Sequence, residues 1–367
     1  MGFLMGVFTL SLVVKQGGIT MKHLLQIGLI GILLGSLLLI PSQGQNLPEV
    51  INAQNVVQLT SEPLTLPSTL GLQGQDFAWS ANSRLLALSV GRLWLFEVDT
   101  QILTEFPQTQ GIRSQALFLP DNERVVYLTH NALVIYDWVN DRFVQTPHEG
   151  ARMIALSPDS TLLALGGGRG EMSLWTIDDL SPVARFKTMT FDDDVLHLAF
   201  SPEGDRLLST HLYSGIMVWD LTQLPNTSDY TAIRPMLEIS GVSRGWLDFL
   251  TDIPDQLIYI HEGSLTDVQA QIGVFSTRQD QLYFTATSHP PIQLGDATSY
   301  ELSAGSDLLF VGDSQGTIGV YDVINGKNLH QFKAHSVSVV DIAISPDQRW
   351  LVSAGFTENI QLWQVIP

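Results

Sequence analysis

Residues able to do chemistry are present in this chain, but their spacing assembles no reaction. His148-Glu149-Gly150-Ala151-Arg152 begins like the helix of a zinc protease, yet Arg152 stands where the second histidine is needed. The nine histidines are scattered along the chain. Asp192-Asp193-Asp194 could offer oxygens to calcium, but lacks the alternating acids of a calcium loop and reads as a solvated acidic turn. Gly166-Gly167-Gly168-Arg169-Gly170 lacks the Lys-Ser/Thr tail and following helix of a phosphate loop, so a tight turn is expected. The chain has no cysteine, which excludes thiolate nucleophiles, disulfides and cysteine-ligated zinc. No catalytic, cofactor-binding or metal-binding residue is therefore assigned, no cofactor is expected, and the chain is not read as an enzyme.

The elements that would position any site are repetitive. A phrase of the form apolar–x–apolar–aromatic closes each of seven units, at Phe96, Tyr136, Trp175, Trp219, Phe275, Tyr321 and Trp363. A period near forty residues marks a repeat architecture. Within each unit, short apolar runs flank turn residues. Met153 to Leu156 precedes Ser157-Pro158-Asp159-Ser160, Leu196 to Phe200 precedes Ser201-Pro202-Glu203-Gly204, and Val340 to Ile344 precedes Ser345-Pro346-Asp347-Gln348. Proline presets the first central position of a type I turn, and Asp bonds locally to the backbone. Units five and six are weaker, and unit five is expected to carry an insertion around Gly263–Gln269. No long amphipathic helix is evident in 76–367.

These features resemble the WD40 repeat family. The Ser-Pro-Asp turns, the closing aromatics, Trp219-Asp220 and Tyr321-Asp322 at strand ends, and Ala334-His335 before the last unit carry the resemblance over about 77–367. It implies an all-β, seven-bladed propeller with four strands per blade around a central channel. The last unit supplies only three strands of its own, which would leave an open edge. Val56 to Leu59 is the expected N-terminal donor of the missing strand, and the chain after residue 75 is expected to supply twenty-seven strands. The family's buried tetrad of His, Ser or Thr, Trp and turn Asp is matched at His335, Ser353 and Trp363, but Thr357 stands at the Asp position. Arg169, Tyr213 and Gln315 stand there in other units, so no full tetrad is expected and apolar packing is expected to dominate.

The resemblance implies a non-catalytic protein-binding scaffold. Loops opening each blade, and turns joining its second and third strands, gather on one rim, and loops carry function more often than the strands beneath them. Candidate partner-binding residues there are Arg113, His130, Arg169, Asp193, Tyr213, Arg244 and Phe356. Arg92, Phe191, Trp246, His261, Tyr300 and Gln315 fall on the same rim by register, Trp246 more as core than as surface. The alternative is an enzyme or small-ligand binder using the channel, for which Asp193, His130, His211 and His261 are the nearby supply. A third reading is an anchored envelope protein.

The N-terminus bears on compartment. Met21-Lys22-His23, apolar Leu24 to Ile40 and small residues at Ser42 and Gly44 read as a signal peptide over 21–44, or an uncleaved anchor through 24–40. Residues 1–20 precede a complete leader, so translation is expected to start at Met21. Segment 45–75 holds the clasp, and 76–367 the propeller. The expectation is an exported, bacterial-type member, secreted or periplasmic, and monomeric. Net charge is −19; removing 1–44 takes away Lys15 and Lys22 and no acid, giving −21. That charge repels phosphate backbones, so nucleic acid is not an expected partner.

Overall fold

Seven antiparallel sheets follow one another along the chain, one per repeat, in a computed structural model. It describes residues 49–64, 77–148, 150–187, 193–222, 224, 232–239, 246–250, 255–264, 267–278, 281–287, 291–356 and 360–365. The leader and the start at Met21 lie outside the described residues. The propeller lies within the compact unit Leu47–Pro367.

Each blade runs outward from the strand nearest the axis. Blade one comprises Phe77–Trp79, Leu85–Ser89, Leu93–Glu97 and Ile102–Phe106, and blade two Leu117–Phe118, Arg124–Leu128, Ala132–Asp137 and Arg142–Pro147. Blade three comprises Ala151–Leu156, Leu162–Gly167, Glu171–Thr176 and Pro182–Lys187. Ala232–Ile233 adds a fifth, parallel strand to its outer edge. Blade four comprises Val195–Phe200, Arg206–His211, Gly215–Asp220 and Leu237–Ile239. Blade five comprises Leu247–Phe249, Gln256–Ser264, Asp267–Arg278 and Gln281–Ala286, with Ile292–Gly295 paired beside its third strand. Blade six comprises Ala297–Leu302, Leu308–Asp313, Thr317–Asp322 and Asn328–Lys333.

Blade seven has Val339–Ile344, Trp350–Gly355 and Ile360–Val365, and Leu59–Leu64 completes it, antiparallel to the third strand. The N-terminal clasp expected from sequence is therefore present, but displaced. Val56–Gln58 is a 3-10 turn, not a strand. Asn52 and Asn55 explain the difference: Asn52 N donates to Asn55 Oδ1 at 2.9 Å and Asn55 Nδ2 to the Val50 carbonyl at 2.9 Å, which bends the chain out of extension. Val56 and Ile51 are thereby buried between blades six and seven, beside Phe310, Ile318 and Val339. Burial of two such side chains stabilises by about 1.5–3 kcal/mol each.

The repeat phrase builds these blades locally. Where a serine opens the turn, it caps it: Ser157 Oγ donates to Asp159 and accepts from Leu162 N, and Ser345 Oγ does the same with Asp347 and Trp350 N. Six of these turns carry a left-handed residue three positions after the opening one: Ser83, Asn122, Ser160, Gly204, Ser306 and Gln348; blade five has one at Asp255, just before its second strand. Apolar clusters lie between neighbouring blades, and one joins Phe77, Leu86 and Trp94 of blade one to Val352, Ala354 and Leu362 of blade seven, which closes the ring.

Two expectations change. The described strands from Phe77 onward number twenty-nine, because Ala232–Ile233 and Ile292–Gly295 were not legible as strands. The expected insertion in unit five is an extension of the blade's own hairpin, whose second and third strands run 9 and 12 residues.

Candidate functional site: the upper rim and the central channel

The loops opening each blade and the turns between second and third strands form the upper rim. Arg113 lies on the loop into blade two, exposed, with its N–H bonded to the Leu128 carbonyl at 2.8 Å. His130 is exposed on the next turn of that blade. Arg169 sits in the tight turn expected of the glycine run, at φ 62°, and its N–H donates to Asp194 Oδ1 at 3.2 Å. Arg152 Nη1 lies 3.8 Å from the other oxygen of Asp194, which brings it to the same place. Tyr213 is 69 % exposed and Phe356 52 % exposed, on the corresponding turns of blades four and seven. Arg92 is paired with Glu105 at 2.5 Å. Arg244 and Phe191 lie outside the described residues, as does the side chain of His261.

Asp193 is the rim candidate that the fold reassigns. It is fully buried, and its carboxylate accepts from Tyr213 N at 2.7 Å and Ser214 N at 3.1 Å. An anion capping two turn N–H groups holds that turn in shape, so Asp193 supports Tyr213 and is not itself a contact surface. His148 is likewise committed, with its two ring nitrogens against the Thr129 carbonyl and Ala151 N.

The structural residues are brought together in blade seven: Trp363 Nε1 donates to Ser353 Oγ at 2.9 Å, and that hydroxyl lies 2.9 Å from His335 Nε2. Gly316 of blade six lets the histidine loop approach, since any Cβ there would lie 2.3 Å from the His335 carbonyl oxygen, and φ is +84°. Blade four holds a second relay, which sequence reading had not singled out. Trp219 Nε1 donates to Ser209 Oγ at 2.9 Å, and that hydroxyl lies 2.7 Å from His211 Nε2. Here the histidine comes from the end of the second strand and the aspartate, Asp193, from the loop opening the blade: the two have exchanged places. Burial pushes His211 below its ordinary value, and the nearby Asp193 opposes that shift.

First strands of all seven blades line a central cavity of about 740 Å³. Its polar side chains stitch neighbouring blades. Asp341 accepts from Phe77 N at 3.0 Å, Glu301 from Ile344 N at 3.1 Å, Trp79 Nε1 donates to the Ala343 carbonyl at 3.3 Å, and Gln115 reaches the Phe77 carbonyl. Burial raises Glu301 to about 8, aided by repulsion from Asp341 and Asp248. Burial also raises Asp248 to about 6 and lowers His197 to about 4. Sequence reading missed these groups, although a signal existed. Two residues before each turn-opening residue, blades one, three, four and seven carry Ala78, Ala155, Ala199 and Ala343, whereas blades five and six carry Asp248 and Glu301. Blade two carries Leu117 there, so acids are out of pattern on a register that the other five blades fill with apolar residues. Trp246, read as core, lines this cavity.

Residues 326–364 match the family model described as WD domain, G-beta repeat. That stretch runs from the fourth strand of blade six through the third strand of blade seven, so the repeat in sequence is offset from the blade in space. The described residues thus form an all-β, seven-bladed propeller, one stretch of which matches that family model. Among curated relatives, it is 24 % identical over 253 residues to Periodic tryptophan protein 2 of Arabidopsis thaliana, covering 67 % of this chain and 26 % of that protein. It is 23 % identical over 233 residues to Target of rapamycin complex subunit wat1 of Schizosaccharomyces pombe, covering 60 % and 67 %. It is 30 % identical over 159 residues to Eukaryotic translation initiation factor 3 subunit I of Phaeosphaeria nodorum, covering 39 % and 46 %. The chain spans about a quarter of the plant protein's length. All three relatives are eukaryotic, so they give no support to a bacterial-type member, and two are named as subunits of larger assemblies.

Proposed function

We propose that this chain is a non-catalytic platform that holds a protein partner on its upper rim. The observation that carries this reading is the exposure of Tyr213 and Phe356 on the same rim as Arg113, His130 and Arg169. Aromatic and arginine side chains are enriched among residues that dominate binding energy. They stand on turns fixed from below by Asp193, Asp194 and the blade relays, so little ordering entropy would be lost on binding. Relatives named as complex subunits support the same class of function.

The test places a photo-crosslinking residue at 213, 356 or 169, and at 102 on an outer strand. One protein should be captured at the three rim positions and not at 102, and Tyr213→Ala with Arg169→Glu should release it. Capture equal at 102 and the rim would sink the assignment. The platform is further proposed to work outside the cytoplasm as a monomer, on the strength of the basic start at Lys22 and the apolar run Leu24 to Ile40. Cell fractionation with N-terminal sequencing decides between a chain cleaved after Gly44 and one retained in the membrane through 24–40. Recovery of the full chain in the cytoplasm would refute export.

A further inference from the structure

We propose that the central channel is a receptor for an organic cation, an ammonium or guanidinium group, held against Asp248, Glu301 and Asp341. The site stands on three separate features of the cavity. First, among the described residues its walls are charged with one sign only: these three acids line it and no lysine or arginine does. Asp341 is engaged on both oxygens, by Ile342 N and Phe77 N. Asp248 accepts through Oδ1 from Phe249 N, and Glu301 through Oε1 from Ile344 N. Their second oxygens, Asp248 Oδ2 and Glu301 Oε2, have no hydrogen bond from any described residue. Both side chains keep partial exposure because they face the cavity, although they lie deep among protein atoms.

Second, one polar side chain of the cavity wall is left unsatisfied: His197 Nδ1 is buried with no partner among the described residues. Buried polar atoms left unpaired cost free energy and call for an explanation, such as a ligand or water. His197 is held neutral by burial, so it brings no positive charge to compete with a guest.

Third, the wall opposite in character is aromatic. Trp246 stacks on Tyr300 at 6.1 Å, and the His197 ring lies 6.3 Å from Trp246. A cation near such faces gains from the ring quadrupoles, and more so when desolvated. Size and geometry select the guest. About 740 Å³ suits a small molecule or a long side chain. Among the described residues no three His, Asp or Glu converge as metal ligands.

Charge balance gives a second signature. Burial, with Asp248 and Asp341 nearby, raises Glu301 to about 8, which favours its protonated form at neutral pH. A cation seated there displaces that proton, which passes to the buffer. The cation can come from a free diamine or from a lysine or arginine side chain of a docked chain. Titration calorimetry of the full chain uses putrescine, a capped peptide with one central lysine, and the same peptide with arginine.

At least one probe should bind with one-to-one stoichiometry at pH 7. Up to one proton should be released per ligand, read from the dependence of enthalpy on buffer. Tighter binding of putrescine would identify a free amine, and tighter binding of a peptide a side chain. Glu301→Gln and Asp248→Asn should each weaken binding about tenfold or more, at unchanged stoichiometry. Failure of all three probes, binding without proton release, or binding unchanged in a folded Glu301→Gln, Asp248→Asn double variant would each overturn the proposal. Proton release is read on the unmutated chain, so the test does not depend on the variants folding. The proposal is independent of the rim, and Tyr213→Ala should leave amine binding intact.

Discussion

Blade four and blade seven hold the same buried relay, a tryptophan indole on a serine hydroxyl on a histidine, and they assemble it differently. In blade seven the histidine, His335, precedes the blade on its opening loop, 18 residues before Ser353. In blade four His211 follows Ser209 by two residues on the same strand, and the acid sits on the opening loop. Both blades also take their fourth strand from an irregular source. Blade seven borrows Leu59–Leu64 from the N-terminus, while blade four reaches Leu237–Ile239 only after the chain has left Ala232–Ile233 on blade three. The comparison teaches that the fold demands a satisfied hydroxyl between indole and imidazole. It does not demand a particular order of residues, because a buried donor without a partner costs the same wherever its partner originates.

The largest expected effect removes blade seven's dependence on the N-terminus. A chain lacking 47–64 loses the ladder to Ile360–Val365 and the plug of Ile51 and Val56, at a cost on the order of 5 kcal/mol. Urea unfolding should show a much lower midpoint, and hydrogen exchange should show blade seven opened ahead of blade four. Equal protection of the two blades in the truncated chain would break the comparison.

Next comes the acid peculiar to blade four. Asp193→Ala leaves Tyr213 N and Ser214 N uncapped in a buried place and should cost about 3 kcal/mol. Asp193→Asn, which keeps one acceptor, should recover about half. Removing the shared hydroxyl is smaller: Ser209→Ala and Ser353→Ala should each cost about 1–2 kcal/mol, since each strands an indole N–H and an imidazole nitrogen. Parity between the two sharpens the view that the relays are equivalent, and a cost confined to one blade would refute it.

The smallest effect is a pH response. Burial lowers His211, so the folded chain takes up its proton less readily than the unfolded one, where histidine titrates near ~6.5. Stability from this group is present above that value and is lost as pH falls below it. Exchange of the Trp219 indole proton should therefore accelerate between pH 7 and pH 5, relative to the global opening rate. The acids of the channel have the opposite sign. Glu301, raised to about 8, should make the fold less stable as pH rises from about 4.5 toward 8, and Glu301→Gln should flatten that slope.

Much of the fold was legible in the sequence because each blade is written locally. Ser157-Pro158-Asp159 and its equivalents close a turn within a few residues, and alternating apolar positions set each strand's faces. The seven closing aromatics mark every blade, and their period marks a repeat architecture. The clasp was legible as a need, since a blade short of one strand leaves an edge open. Its register was not, because the turn made by Asn52 and Asn55 shifts the pairing to Leu59–Leu64. Ala232–Ile233 escaped notice since two residues carry no periodicity.

The site was less legible. Arg113, His130, Arg169, Tyr213 and Phe356 follow from blade register and are exposed on the rim. Asp193 carried the same register but turned inward, a difference set by two N–H groups arriving from residues 213 and 214. Sequence by itself determined the number of blades, their turns and which loops share a rim, because those depend on contacts within one repeat. Only the tertiary structure decided which polar groups meet across repeats: His211 with Ser209 below a capped turn, and Asp248, Glu301 and Asp341 in one channel. Those acids lie 53 and 40 residues apart in order. They become neighbours because closing the ring brings the first strands of blades five, six and seven around a common axis, where low solvation lets each feel the others' charge.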